Sequence, residues 1–190
     1  MQPNSTPAPL YDDALDDLIH DNIVNITGIT ADLVRPRYQP EPATHPEATT
    51  NWVAFGIATY DSDVFAYQGH DPAGNGGLGT SSVERDEMIV VNLSFYGPNN
   101  LGYMSQYREG IQVESNRWDI NAQNMNLVEV GQVVNLPALL KDRWVKRLDT
   151  KVTFRRRASR VYNVPSLIGN PVGLNVNNDK TSVLIPTNVP

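Results

Sequence analysis

Few side chains in this sequence have a spacing that suits catalysis or metal binding. Those that could bind a metal ion lie in one stretch, where His70 and Asp71 follow Asp61 and Asp63. Their spacing matches no named metal site, and a metal site needs several ligands that converge with defined geometry. The chain has no cysteine, so thiolate zinc sites and cysteine nucleophiles are excluded. We therefore expect no bound metal and no cofactor.

A glycine-rich stretch is the second candidate for chemistry. Residues 74–79 (GNGGLG) look like a loop that cradles phosphate groups, but no Lys-Ser or Lys-Thr pair follows them. Glycine-rich stretches of this kind more often form the tip of a β-hairpin. The numbers of Asp and Glu leave a paired-carboxylate mechanism open, yet nothing marks one pair as buried or perturbed. No catalytic residue is predicted, and an enzyme is the class of protein that we expect least.

Charge is distributed unevenly along the chain. Nine of the fifteen Lys and Arg residues lie between Lys141 and Arg160, where only Asp142 and Asp149 oppose them. The first thirty residues carry five Asp and no Lys or Arg. The net charge is -6, so non-specific binding of nucleic acid by the whole surface is not expected. The basic block could still attract an acidic partner locally.

Two charged faces follow from this distribution. The acidic face has the spacing i, i+4, i+8 on a predicted helix and consists of Asp13, Asp17 and Asp21. The basic face lies along a predicted strand and consists of Arg143, Arg147, Lys151, Arg155 and Arg157. Each face could simply be solvated, or could contact an oppositely charged protein surface. DNA phosphates are a third potential partner of the basic face.

Two helices are expected in the elements that position these faces. Apolar residues at helical spacing predict the first helix over 10–27, with Gly28 as its terminator. The same spacing predicts a second helix over 99–115.

The remaining elements are predicted to be strands and their connections. Strands are predicted over 33–38, 51–60, 83–96, 127–134 and 143–157. Loops or turns are predicted over 39–50, 69–82 and 136–140. In the last strand, alternation places Trp144, Leu148, Val152 and Phe154 on the inward face. The expected fold is α+β, a mostly antiparallel sheet with the N-terminal helix and the second helix packed on it.

The chain length suits one domain. We expect that domain over 10–165, between an N-terminal arm at 1–9 and a C-terminal arm at 166–190, where apolar periodicity is absent. No apolar run approaches the roughly 20 residues of a membrane span, and the N-terminus does not look like a secretory signal. No membrane association is expected.

The order of several diffuse features resembles a known family. Thr27-Gly28-Ile29 closes the first helix and is followed by Val34-Arg35-Pro36-Arg37. Asn51-Trp52 then opens a strand, Phe95-Tyr96-Gly97 precedes the second helix, and Trp144 with Arg147 opens the last strand. In this order, over roughly residues 10–165, the chain resembles the neck or tail terminator proteins of tailed bacteriophages.

The resemblance implies a structural protein of the virion without catalytic residues. Similar proteins form a ring, commonly hexameric, that caps the head-proximal end of the tail tube and joins it to the neck. Genome DNA passes through the lumen of such a ring without sequence-specific contact. The partners implied are other copies of the chain, the tail tube protein and neck or connector proteins, with assembly in the host cytoplasm.

Two alternatives remain at this point. The first is another head–tail connector or tail ring component. The second is a DNA-binding protein that uses the basic strand 143–157. Segregated charge is compatible with the ring, because a ring is built from heterologous contacts in which one patch of a subunit meets a different patch of the next, and a charge-polarised subunit supplies two such patches.

Overall fold

The structure is a computed structural model that describes residues 3, 9–39, 44–140 and 142–164. Its helices are α1 (Asp12–Thr27), α2 (a single turn, Gly74–Gly77), α3 (Asn100–Gly110) and α4 (Trp118–Ala122). Its strands are β1 (Val34–Pro36), β2 (Trp52–Ser62), β3 (Tyr67–Asp71), β4 (Thr80–Tyr96), β5 (Met125–Val130), β6 (Val134–Asn135), β7 (Ala138–Leu140), β8 (Arg143–Val145) and β9 (Arg147–Asn163). The arms predicted at 1–9 and 166–190 lie almost entirely outside the described residues and stay predictions.

Seven strands form one sheet around the long central pair β4 and β9. The strand order is β1-β2-β4-β9-β5, with β3 paired to the first part of β4 and β6 paired to the start of β9. Neighbours are antiparallel except β1 and β2, which run parallel because the chain returns to the same end of the sheet between them. β7 and β8 form a separate antiparallel pair. The predicted α+β class, with a mostly antiparallel sheet, is confirmed.

Helices α1 and α3 cover one face of this sheet, as predicted. Helical spacing puts Leu15, Ile19 and Ile23 of α1 on one buried stripe. α3 contributes Met104 and Tyr107 to the same core. The sheet supplies alternate residues of its strands, among them Val53, Phe55, Val91, Leu93, Phe95, Val152 and Phe154. α1 begins at Asp12 and ends at Thr27, and it is capped by Gly28, whose φ of +69° is the left-handed conformation that suits glycine.

The loop predicted over 69–82 is shorter than expected. β3 occupies its first part and β4 begins at Thr80, so only 72–79 connect the two strands. The glycine-rich stretch does form the tip of this hairpin, as predicted. The start of β4 is polar and lacks apolar alternation, but β3 and β9 supply hydrogen-bonding partners on its two sides. Pairing from both sides makes a strand there despite the sequence.

The strand predicted over 143–157 is two strands. Lys146 breaks it, β8 pairs with β7 where a turn had been predicted over 136–140, and β9 continues to Asn163. The break shifts the alternation by one residue, which exchanges the two faces. As a result Trp144, predicted to face inward, is 74% exposed, whereas Val145 is buried. Within β9 the predicted inward residues Leu148, Val152 and Phe154 are buried.

The strand predicted over 127–134 is also interrupted. β5 ends at Val130 and β6 begins at Val134, and both pair with β9. Gly131 lies between them and its N–H donates to the carbonyl of Lys151 at 2.8 Å, so the chain stays against β9 across the gap.

Substitution of Gly97 tests the tight junction between β4 and α3. Its φ is +104°, and a Cβ there would lie 2.6 Å from the carbonyl oxygen of Thr50. We expect Gly97→Ala to lower the free energy of unfolding by more than about 1 kcal/mol, because the backbone has no room to yield. Gly102→Ala is the control, since a Cβ at Gly102 meets nothing within 4 Å and alanine favours the helix by about 0.5–1 kcal/mol. Urea unfolding measures both, and an unchanged midpoint for Gly97→Ala would contradict the described turn.

Candidate functional site: the charged faces of helix α1 and strand β9

The acidic face of α1 points to solvent. Asp13, Asp17 and Asp21 are all exposed, at the helical spacing that was predicted. Asp21 contacts His20, whose Nδ1 lies 2.9 Å from the carboxylate. Among the described residues, no Lys, Arg or His forms an ion pair with Asp13 or Asp17. The expectation that a cationic surface neutralises this face stays a prediction.

Asp16 lies beside the acidic face and experiences the charge of its carboxylates. Burial of this half-buried side chain raises its pKa, and the neighbouring carboxylates Asp13, Asp17 and Asp12 raise it further. Like charges at helical spacing destabilise one another. A cation brought to this face by another molecule would therefore relieve repulsion that the helix alone does not.

Most of the basic face of β9 is paired within the chain. Arg155 forms an ion pair with Asp86 of β4, and Arg157 Nε lies 3.4 Å from the same carboxylate. Arg157 also approaches Glu84 at 4.0 Å. The hydrogen bond from Arg155 is the main reason that the pKa of Asp86 lies below its ordinary value, and Arg157 adds to the effect. Both arginines are more than half exposed, so solvent screens these pairs and each contributes little to stability.

Arg147 is paired at the other end of β9. Its Nε and Nη2 donate to the two carboxylate oxygens of Asp149 at 2.8 and 2.5 Å, and its guanidinium lies 5.7 Å from the centre of the Tyr96 ring. The Ser94 hydroxyl donates to Asp149 at 2.6 Å and accepts from Arg37 at 2.5 Å. This network lies on the face of the sheet opposite α1 and α3, near the Trp52–Tyr96 stack, whose ring centroids are 4.0 Å apart.

Two of the predicted basic residues form no ion pair within the described part of the chain. They are Arg143 and Lys151, and both are exposed. No ion pair there joins the acidic face of α1 to the basic face of β9 either. The structure thus leaves the eight predicted residues as separate patches, and their role in an interface stays a prediction.

Arg156, a buried basic residue of β9, was not among the predicted site residues. It points inward from β9 directly opposite Glu87 of β4, and the two side chains are 1% and 4% exposed. Arg156 Nε and Nη2 lie 2.9 and 2.7 Å from the Glu87 carboxylate. The sequence did indicate that Arg156 points inward, because alternation places residue 156 on the same face as Phe154.

Arg156 also holds the start of α1. Its Nη1 donates to the carbonyl of Leu10 at 2.5 Å, and its guanidinium lies 4.6 Å from the centre of the Tyr11 ring. The Tyr11 hydroxyl donates to Glu87 at 3.0 Å and accepts from Arg160 at 3.1 Å. The helix that carries the acidic face is therefore fixed to the two central strands by a buried ionic network.

The metal candidates do not converge. Asp71 accepts a hydrogen bond from the backbone of Ala73, and Asp63 accepts one from the backbone of Asp86. Over the residues that the structure describes, no three His, Cys, Asp or Glu side chains are grouped to hold a metal ion. In the same part of the chain, no helix has both the length and the apolar character needed to cross a membrane.

A double-mutant cycle tests the buried pair. Arg156→Met leaves Glu87 buried without its partner, and loss of one member of such a pair costs about 3–5 kcal/mol. The double variant Arg156→Met/Glu87→Met should cost less than the sum of the single variants by more than about 0.5 kcal/mol. Arg157→Met, on the same strand but exposed, should cost less than about 1 kcal/mol. Additive single effects in urea unfolding would show that Arg156 and Glu87 do not interact.

The Arg147–Asp149 pair predicts a pH dependence. Burial acts to raise the pKa of Asp149, but hydrogen bonds from Arg147 and Ser94 outweigh it and hold the pKa below the ordinary value. The carboxylate therefore stabilises the fold fully above about pH 4, and this stabilisation is lost as the pH falls through the folded-state pKa. Asp149→Asn should cost on the order of 1–3 kcal/mol at neutral pH and progressively less below pH 4.

Urea unfolding of Asp149→Asn across this pH range measures the effect. The exposed Glu129, for which the described residues show no ion pair, provides the control variant Glu129→Gln, which should have only a small effect on stability. A cost for Asp149→Asn that stays constant from pH 7 to pH 3 would contradict the assigned pair.

No curated protein sequence matches this chain. The family model of the phage neck terminator protein matches it over residues 13–179, a span that includes both charged faces. This agrees with the family that the order of sequence features had indicated. Because the match covers most of the chain, the protein belongs to the phage neck terminator family and has a structural role in the neck and tail of the virion.

Proposed function

We propose that copies of this chain form a closed, hexameric ring at the head-proximal end of the phage tail. The ring ends the tail tube, joins it to the neck, and lets genome DNA pass through its lumen without sequence-specific contact. The observation that carries this proposal is membership of the neck terminator family over residues 13–179. The role is structural, and no catalytic step belongs to it.

Separate patches of opposite charge support a ring. A ring closes when one patch of each subunit contacts a different patch of the next. The acidic face offers Asp13, Asp17 and Asp21, and the exposed cations Arg143 and Lys151 offer the opposite charge. Because no described residue of the same chain neutralises Asp13 or Asp17, a neighbouring copy is the natural source of the cation.

The paired arginines have a smaller part in this proposal. Arg147, Arg155 and Arg157 already share carboxylates of their own chain. A neighbouring acidic surface would have to compete with Asp86 and Asp149 for them. The same pairing argues against the strand 143–157 as a general DNA-binding surface, because phosphate binding draws on cations that are free to exchange their counterions.

The remaining partners follow from the proposed position. One face of the ring contacts the tail tube protein, and the other contacts neck or connector proteins, after assembly in the host cytoplasm. Another connector or tail ring component would share the family's structural role but occupy a different level of the particle.

Imaging of the head–tail junction tests the position. A reconstruction of purified virions should place a ring of this chain between the tail tube and the neck, with a central hole at least as wide as a DNA duplex. Density for the chain as a single copy, or away from that junction, would overturn the proposal. Isolated protein imaged in negative stain should give closed rings of the same diameter.

Salt dependence tests the charge-based contact between copies. The Debye length falls from about 10 Å at 0.1 M to about 3 Å at 1 M ionic strength, so self-association should weaken as salt is raised. Lys151→Glu should weaken self-association at low salt and flatten its dependence on salt. Arg85→Glu is the matched control, since Arg85 is also an exposed strand cation with no ion pair among the described residues. Sedimentation velocity measures each, and equal effects of both variants would contradict a specific role of Lys151.

A further inference from the structure

The hairpin of β7 and β8 carries an apolar knob. Leu139 and Trp144 are directly opposite each other in this two-stranded pair, and they are 55% and 74% exposed. Val145, the next residue, is buried and anchors the hairpin to the body of the protein. Exposed tryptophan set beside another large apolar side chain is typical of surfaces that bind proteins, where tryptophan often dominates the binding energy.

The knob is flanked by positive charge. Arg143 precedes Trp144, and Lys146 follows Val145. Arg143 and Lys146 are both exposed, and neither forms an ion pair with another described residue. Asp142 at the turn is the carboxylate of this hairpin. A surface that receives the knob should therefore combine an apolar floor with an acidic wall.

A groove with these properties lies between α1 and the strands β1 and β2. Its volume is about 450 Å³, within the roughly 300–1,000 Å³ range of sites that enclose a small organic group. Its lining includes Asp13, Asp16, Asp17, Tyr38, Phe55 and Ile57. Arg37 is the cation in the lining, and its guanidinium is directed to Ser94 rather than to the aspartates.

We propose that the β7–β8 hairpin of one copy inserts Trp144 into this acidic groove of a second copy, with Arg143 and Lys146 against Asp13 and Asp17. The contact rests on the proposed ring and names the surfaces that form it. A second copy is the occupant because the two surfaces are complementary in charge and apolar character, and because Trp144 remains exposed within its own chain. The two patches differ, so the contact is heterologous and repeats from copy to copy.

Substitution of the knob is the first test. Trp144→Ala should weaken self-association by roughly 30-fold or more, the effect expected of a central interface tryptophan. Trp118→Ala is the matched control, because Trp118 is 73% exposed and lies on α4, outside both surfaces. Circular dichroism should show that both variants remain folded. Equal association of Trp144→Ala and the wild type would overturn the contact while leaving the ring itself in place.

Mixing two defective variants is the second test. Trp144→Ala retains the groove, and Asp13→Lys/Asp17→Lys retains the knob. Each should be monomeric alone, whereas their mixture retains one intact contact and should stop at a heterodimer. Sedimentation velocity distinguishes the species. A mixture that stays monomeric, or variants that each form higher oligomers alone, would overturn the proposed pairing.

Cysteine cross-linking is the third test, and the absence of native cysteine makes it clean. A chain with Arg143→Cys and Asp17→Cys should give a ladder of disulfide-linked oligomers under mild oxidation. A chain with Arg143→Cys and Ser159→Cys, whose second site is exposed on β9 outside the groove, should not. No ladder from the first pair would overturn the contact even if virions still show a ring. A ladder with a ring located away from the neck would instead contradict only the proposed position.

Discussion

Pairing of β4 with β9 along their full 17-residue lengths is the constraint on which the rest of the structure depends. Side chains alternate along each strand, so a shift of one residue would turn Phe154 to solvent and Arg155 into the core. The observed register avoids this and sets Arg156 opposite Glu87. It also brings Arg155 and Arg157 to Asp86, so these two arginines on the outer face of β9 are paired as the sheet forms.

The buried pair extends this constraint to the helix. Arg156 and Glu87 bind Leu10 and Tyr11, which immediately precede α1. A buried ion pair adds little net stability by comparison with apolar residues, but it is costly to break and tolerates few alternative geometries. Here it fixes where α1 begins relative to the sheet. The acidic face of α1 is therefore held in a defined position relative to the sheet, as the proposed contact with another copy requires.

The distribution of paired and unpaired charge underlies the contacts that we propose for this neck protein. Arg147, Arg155 and Arg157 of the basic strand pair with carboxylates of their own sheet. Among the described residues, Asp13 and Asp17 on α1, Lys151, and the cations Arg143 and Lys146 beside Trp144 form no ion pair. A structural protein of a phage neck associates with other neck and tail proteins. Internal pairing of Arg147, Arg155 and Arg157 limits repulsion within the row of arginines, and the unpaired charges elsewhere remain available for contacts.

The sequence by itself determined the helices and strands whose apolar residues repeat at helical or alternating spacing within the element. Helical spacing located α1 and α3, and alternation located β2, the apolar half of β4 and the buried side of β9. Alternation also predicts that Arg156 points inward, because it lies two residues after the inward-facing Phe154 on the same strand. The order of these elements was enough to indicate the family.

Tertiary structure alone decided the rest, because the deciding partners are distant in sequence. The polar start of β4 is a strand only because β3 and β9 lie on its two sides. Lys146 interrupts the last strand where its carbonyl accepts from Gly97, about fifty residues earlier, and that break turned Trp144 outward. Arg155, Arg156 and Arg157 are neutralised by Asp86 and Glu87, carboxylates that only the pairing of β4 with β9 brings near. Charge and spacing are properties of the chain, whereas the partner of each charge is a property of the fold.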